Sequence, residues 1–145
     1  MILAYTRLTM PEETIFMKII KGEIPSTKIY EDENTYAFLD IQPNNLGHTL
    51  VIPKTPSTNI YKMSDEDVKT LFVVVKKISI AVKKGMEATG INIAMNNDVD
   101  AGQEVFHSHI HVIPRFPNDN FKHGRHLKYE DGQIETTAEK IRSNL

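Results

Sequence analysis

The chain has 145 residues, 40% hydrophobic and 25% charged, which suits one globular domain with a sizeable core. A net charge of −2 with no basic patch argues against a nucleic-acid partner, and the absence of cysteine excludes disulfides, thiolate ligands and a cysteine nucleophile. It gives no reason to place the chain outside a reducing compartment, so a cytoplasmic location is expected, and with no apolar run of membrane-spanning length no membrane partner is expected.

Residues 1–13 read as an N-terminal extension, with Arg7 interrupting the apolar start too early for a signal sequence. Thr9, Pro11, Glu12 and Glu13 suit the start of a helix whose apolar stripe is Ile15, Phe16, Ile19 and Ile20, and Gly22 ends it. Strands are expected at 27–31, 36–39 and 48–53, separated by turn-forming runs at 32–34 and 42–47. The clearest helix opens at Ser64 with Asp65, Glu66 and Asp67 in its first turn. Its apolar face is Val68, Leu71, Phe72, Val75, Ile78 and Val82, with Gly90 as its stop. Gly85 inside it is costly, since an interior glycine is about 1 kcal/mol worse than alanine. Two more strands are expected at 91–97 and 106–114. The rest is a polar segment, in which His123 and His126 read as solvated surface residues, and a short helix at 136–144. Short strands grouped on either side of one long helix predict an α+β fold with an antiparallel sheet.

Half of the six histidines lie in one stretch, at His107, His109 and His111. On an extended strand they share one face while Ile110 and Val112 point into a core. Three imidazoles on one face repel when charged, so chemistry explains the pattern better than structure does. One reading is a transition-metal site, because alternate histidines on a strand can converge on zinc. Another is phosphoryl chemistry, with one imidazole attacking phosphorus and its neighbours holding the phosphate. The loop 98–103, read as flexible and rich in available backbone amides, favours the second.

The run Gly102-Gln103-Glu104-Val105-Phe106-His107-Ser108-His109-Ile110-His111-Val112-Ile113-Pro114-Arg115 resembles the signature of the histidine-triad nucleotide hydrolases and transferases. Blocks at 14–26, 37–43 and 47–54 resemble that family in order and spacing. The resemblance implies a domain over 14–115, followed by a C-terminal segment over 116–145. It also implies a five-stranded antiparallel sheet with two helices, continuous across a homodimer.

By position, the resemblance makes His109 the nucleophile at an α-phosphate, His111 a phosphate contact, His107 a holder of the site and His48 a further active-site histidine. Asp40 takes the place of the ribose-binding carboxylate. Phe16, Ile19, Phe38 and Ile41 match the slot for a purine base, and Asn96, Gly102, Gln103, Glu104 and Val105 match the phosphate-binding group. No cofactor is implied. The implied activity is hydrolysis or nucleotidyl transfer on a nucleoside phosphoramidate or a dinucleoside polyphosphate. A regulatory module that binds nucleotide without turnover, and a hydrolase using the histidines as metal ligands, are the alternatives. Thr14, Met17 and Pro56 replace residues that bind a structural zinc in many bacterial relatives, so that zinc is not expected. Glu104 stands where several members carry a small hydroxyl side chain implicated in protonating the leaving group and other members carry an acid, so the resemblance leaves the leaving-group donor open.

Overall fold

A computed structural model describes residues 12–122 and 124–145. Most of the N-terminal extension and His123 therefore lie outside the described residues. Helix α1 (Ile15–Ile20) has Thr14 as its N-cap: Thr14 Oγ1 accepts the Met17 N–H and Met17 Sδ accepts the Thr14 N–H, while the helix start expected at Thr9 and Pro11 lies outside the described residues.

Strands β1 (Lys28–Glu31), β2 (Thr35–Leu39), β3 (Thr49–Pro53), β4 (Gly90–Ala94) and β5 (Ile110–Arg115) form one antiparallel sheet in the order β1-β2-β3-β5-β4. The hydrophobic effect assigns its two faces through the period of two. Ala37, Leu39, Val51, Ile110 and Val112 join the main core. Tyr36, Phe38, Leu50 and Ile52 point to the opposite face and pack under Phe16 and Ile19 of α1.

The main core is closed by α2 (Asp65–Gly85) and by α3 (Gln133–Arg142), a third helix where the resemblance implies two. Ser64 Oγ caps α2 by accepting the Asp67 N–H. Its buried face is Leu71, Val74, Val75, Ile78, Ala81 and Val82, so the helix is rotated relative to the expected stripe and Phe72 is left 40% exposed. The helix stops at Gly85, five residues before Gly90, because α3 crosses there. A Cβ on Gly85 would lie 2.4 Å from the Lys140 carbonyl oxygen and 2.9 Å from Ile141 Cα. The glycine is thus a close-approach residue, and Ala138 and Ile141 of α3 are fully buried beside it.

Both late strands are shorter than expected. β4 ends at Ala94, which leaves Asn96 in a loop, and β5 begins only at Ile110, so the three histidines do not share one strand. Pairing with β3 stops at the Val51–Ile110 partnership, and the chain before it is held otherwise. The Ser108 N–H donates to the Ser57 carbonyl at 2.7 Å and the His107 ring to the Pro53 carbonyl at 2.8 Å.

Candidate active site

A cleft of about 770 Å³ opens on the sheet face opposite α2, walled by α1, the hairpin after β2, the loop before β5 and the segment after β5. Strand register brings its histidines together. Leu39 pairs with Thr49, so Asp40 and His48 face each other at the hairpin mouth, where the Asp40 N–H donates to the His48 carbonyl at 2.9 Å. Leu50 pairs with His111, which places His48 and His111 diagonally on one face. The His109 and His111 ring centroids are 5.1 Å apart, and Phe16 packs edge-on to His109 at 5.0 Å.

Hydrogen-bond partners assign the protons of these rings. The Asn44 backbone N–H donates to His48 Nδ1 at 3.1 Å, so the proton of the neutral ring sits on Nε2. That Nε2–H donates to His111 Nδ1 at 2.8 Å, which leaves the His111 proton on Nε2. His109 differs. Its Nδ1–H donates to the His107 carbonyl at 2.7 Å, leaving Nε2 a bare lone pair. His107 donates to Pro53 and its other nitrogen has no partner in the interior.

Burial keeps all four rings neutral near pH 7. It is the largest cause in each case, drawing His48 down to about 3 and His111 to about 4, and lowering His107 and His109. Burial also raises the Asp40 carboxyl, opposed by the Gln42 N–H that donates to its Oδ1 at 2.8 Å.

Asp40, His48 and His111 place one potential ligand atom each within 4.8 Å of the others, which is a metal-like spacing. The proton assignment does not fit a metal. To ligate through Nε2, His48 must carry its proton on Nδ1, where it would confront the Asn44 N–H. Two donors facing each other are repulsive, so His48 and His111 form a hydrogen-bonded pair and not a pair of ligands, with Asp40 Oδ2 3.7 Å from His48 Nε2. A structural zinc fits no better at α1, where the Thr14 and Met17 side chains each accept the other residue's backbone N–H.

The loop 98–103 is braced, not flexible, around a 3-10 turn at Val99–Ala101. Gln103 is the brace: its Oε1 accepts the Asp98 N–H at 2.8 Å and its Nε2 donates to the Thr58 carbonyl at 2.6 Å. Asn59 adds a bond to Asp98 Oδ1 at 3.0 Å. These hold Asp98 at φ 73° and ψ 162°, a region costing a non-glycine residue about 1–3 kcal/mol.

Comparison with known proteins places the chain in a family. Residues 21–118 match the HIT domain. The chain belongs to the HIT family. It is 52% identical over 105 residues to Protein hit of Bacillus subtilis, covering 72% of each chain. It is 41% identical over 107 residues to adenosine 5'-monophosphoramidase HNT1 of Saccharomyces cerevisiae, covering 74% of this chain and 65% of that one. The crystal structure of a Hit-like protein from Bartonella henselae superposes with a TM-score of 0.82 at 39% identity, covering 91% of this chain and 96% of that one.

Within this HIT chain, His48, His109, His111, Asp40, Phe16, Asn96, Gly102, Glu104 and Val105 all line the cleft. His107 lies behind it, against Phe16 and Pro53. Ile19 and Phe38 are buried in the small core beneath Phe16, and Gln103 is internal to its loop. Ile41 is 75% exposed on the hairpin and does not line the cleft, because the turn after Asp40 carries it outward. Sequence reading missed Asn92, Ala94, Ile113 and Arg115, although the alternation that puts His111 on this face puts them there too. It also missed Gln42, Asn44 and His126. His126 is exposed, as expected, and also lines the rim of the cleft, because the C-terminal segment folds back over the hairpin. No local signal reports that return.

Proposed function

We propose that this HIT protein cleaves nucleotides at the α-phosphorus, releasing a purine nucleoside monophosphate from a phosphoramidate or a dinucleoside polyphosphate. The observation that carries this is the pairing of unlike imidazoles in one cleft: a bare Nε2 on His109 beside an Nε2–H on His111. The first is a nucleophile and the second a hydrogen-bond donor to a phosphoryl oxygen.

His109 Nε2 forms a bond to phosphorus, the bond from phosphorus to the leaving nitrogen or oxygen breaks, and its electron pair leaves with that group. The leaving group takes up a proton from solvent water at the cleft, and the water that attacks in the next step releases one in return. Water then displaces the imidazole, giving the monophosphate and restoring neutral His109. The growing positive charge on His109 is offset by the His107 carbonyl on its Nδ1–H and by the Glu104 carboxylate, both of which favour the protonated ring. Asp40 binds the ribose, Phe16 and Leu50 bracket the base, and Asn96 and Gly102 flank the phosphate. The activity named for the yeast relative supports the phosphoramidate reading.

The test is AMP release from adenosine phosphoramidate and from diadenosine polyphosphates. Wild type is expected to turn over at least one class. His109→Ala is expected to lose on the order of 10³-fold or more while retaining its circular dichroism spectrum, because a nucleophile acts with its partners as a unit. Near-normal turnover by a folded His109→Ala protein would overturn the mechanism.

A further inference from the structure

Gln42 joins two side chains that are distant in sequence. Its N–H donates to Asp40 Oδ1 at 2.8 Å, and its carbonyl accepts a hydrogen bond from Nδ1 of His126, 84 residues further on, at 3.0 Å. Asp40 and His126 both line the cleft.

His126 is exposed, yet its backbone is fixed on both sides. The Leu127 N–H donates to the Pro43 carbonyl at 2.7 Å and Asn44 Nδ2 donates to the Arg125 carbonyl at 2.6 Å. The Arg125 guanidinium donates in return to the Asn44 carbonyl at 3.1 Å, and the Tyr129 hydroxyl accepts the Gly47 N–H at 3.0 Å. A side chain held this way loses little further freedom on contacting a ligand.

The chemistry at the rim follows from the partners already made. With Nδ1 donating to Gln42, the neutral His126 ring has a bare Nε2, which accepts. Asp40 has Oδ1 engaged by Gln42 and Oδ2 turned toward His48, 3.7 Å from its Nε2. Two acceptors anchored to one peptide residue match two adjacent O–H donors. A ribose presents that pair as its 2′,3′-diol, and a deoxyribose does not. We propose that His126 is a specificity-determining residue that shares the ribose diol with Asp40, an assignment that rests on the nucleotide reading of the cleft.

The experiment compares AMP and 2′,3′-dideoxy-AMP binding by calorimetry for wild type, His126→Ala and His126→Gln, with adenosine phosphoramidate kinetics alongside. Arg125 and Leu127 keep their anchors in both variants, so folding is not at stake. Wild type is expected to prefer AMP. His126→Ala is expected to shrink that preference about five- to tenfold, the size of one hydrogen bond, by raising KM with kcat unchanged. His126→Gln, whose amide oxygen can reach the same point, is expected to restore part of it. An unchanged preference in His126→Ala, with wild type still discriminating, removes the role of His126 alone. Wild type binding neither nucleotide overturns the nucleotide reading, and His126 with it.

Discussion

His48 Nε2 lies 2.8 Å from His111 Nδ1, and a main-chain group decides which of them donates. The Asn44 N–H occupies His48 Nδ1, so the proton between the rings belongs to His48 and the free proton of His111 is on Nε2. A backbone amide in a hairpin thereby sets the donor that His111 presents to a phosphate.

Removing His48 should therefore lower kcat without touching the nucleophile. His48→Ala is expected to lose about 10- to 100-fold in AMP release, equivalent to about 1.4–2.8 kcal/mol, since His111 is then free to adopt the wrong tautomer. Burst-phase measurement separates formation of the nucleotidyl-histidine from its hydrolysis, and the loss should fall on formation. A kcat equal to wild type would show that the relay is dispensable.

Metal should inhibit and not activate. The Asp40, His48 and His111 trio is in the wrong tautomer for ligation, whereas the nucleophile presents a bare lone pair on His109 Nε2. A metal on His109 Nε2 competes with attack, since one lone pair cannot do both. Chelator is expected to leave AMP release unchanged and added zinc to slow it. Elemental analysis giving one zinc per chain, with activity lost on stripping and regained on return, would establish a metalloenzyme instead.

Acid should destabilise the fold, and the sign follows from the buried histidines. His48 and His111 titrate at about 3 and about 4 when folded, and His107 and His109 are lowered as well. The unfolded chain binds these protons near pH 6.5. Their contribution is thus complete above about 6.5 and is lost as the pH falls, for His48 and His111 by about 1.4 kcal/mol per pH unit each between about 6.5 and their folded values, and for His107 and His109 in the same direction. Asp40, raised by burial, acts in the opposite sense but is a single group. Urea midpoints measured between pH 7.5 and 4.5 should fall steadily, and His48→Gln should flatten the slope. A flat profile in wild type would contradict the burial of neutral imidazoles.

Assembly as an isologous dimer is expected. Strand β4 is an edge of the sheet, and Ile93 on it is 51% exposed. The outer side of α2 exposes Phe72 at 40%, Val73 at 70% and Ile80 at 45%. A second copy pairing β4 with β4 would cover both and remove an aggregation-prone edge. Light scattering should give twice the 16.5 kDa chain mass, and Val73→Asp should reduce it. A monomer at micromolar concentration would argue against this interface.

The alternation of apolar residues along each strand and the Ser64 cap with its acidic turn were legible in the chain, because each depends on neighbours within one element, and the close spacing of the histidines was legible as sequence although only His111 lies on β5. That is why five antiparallel strands, the long helix and the family could be read directly. What tertiary structure decided was everything set by contacts between distant segments. Gly85 reads as a weak point in a helix until α3 is seen against it. Ile41 reads as part of the base slot until the hairpin turns it outward. The proton on His111 is determined by an amide at Asn44, and His126 enters the cleft through bonds between residues 125–127 and 42–44. Periodicity records which face a residue takes within its own strand or helix, and it carries no record of which loop returns to meet that face.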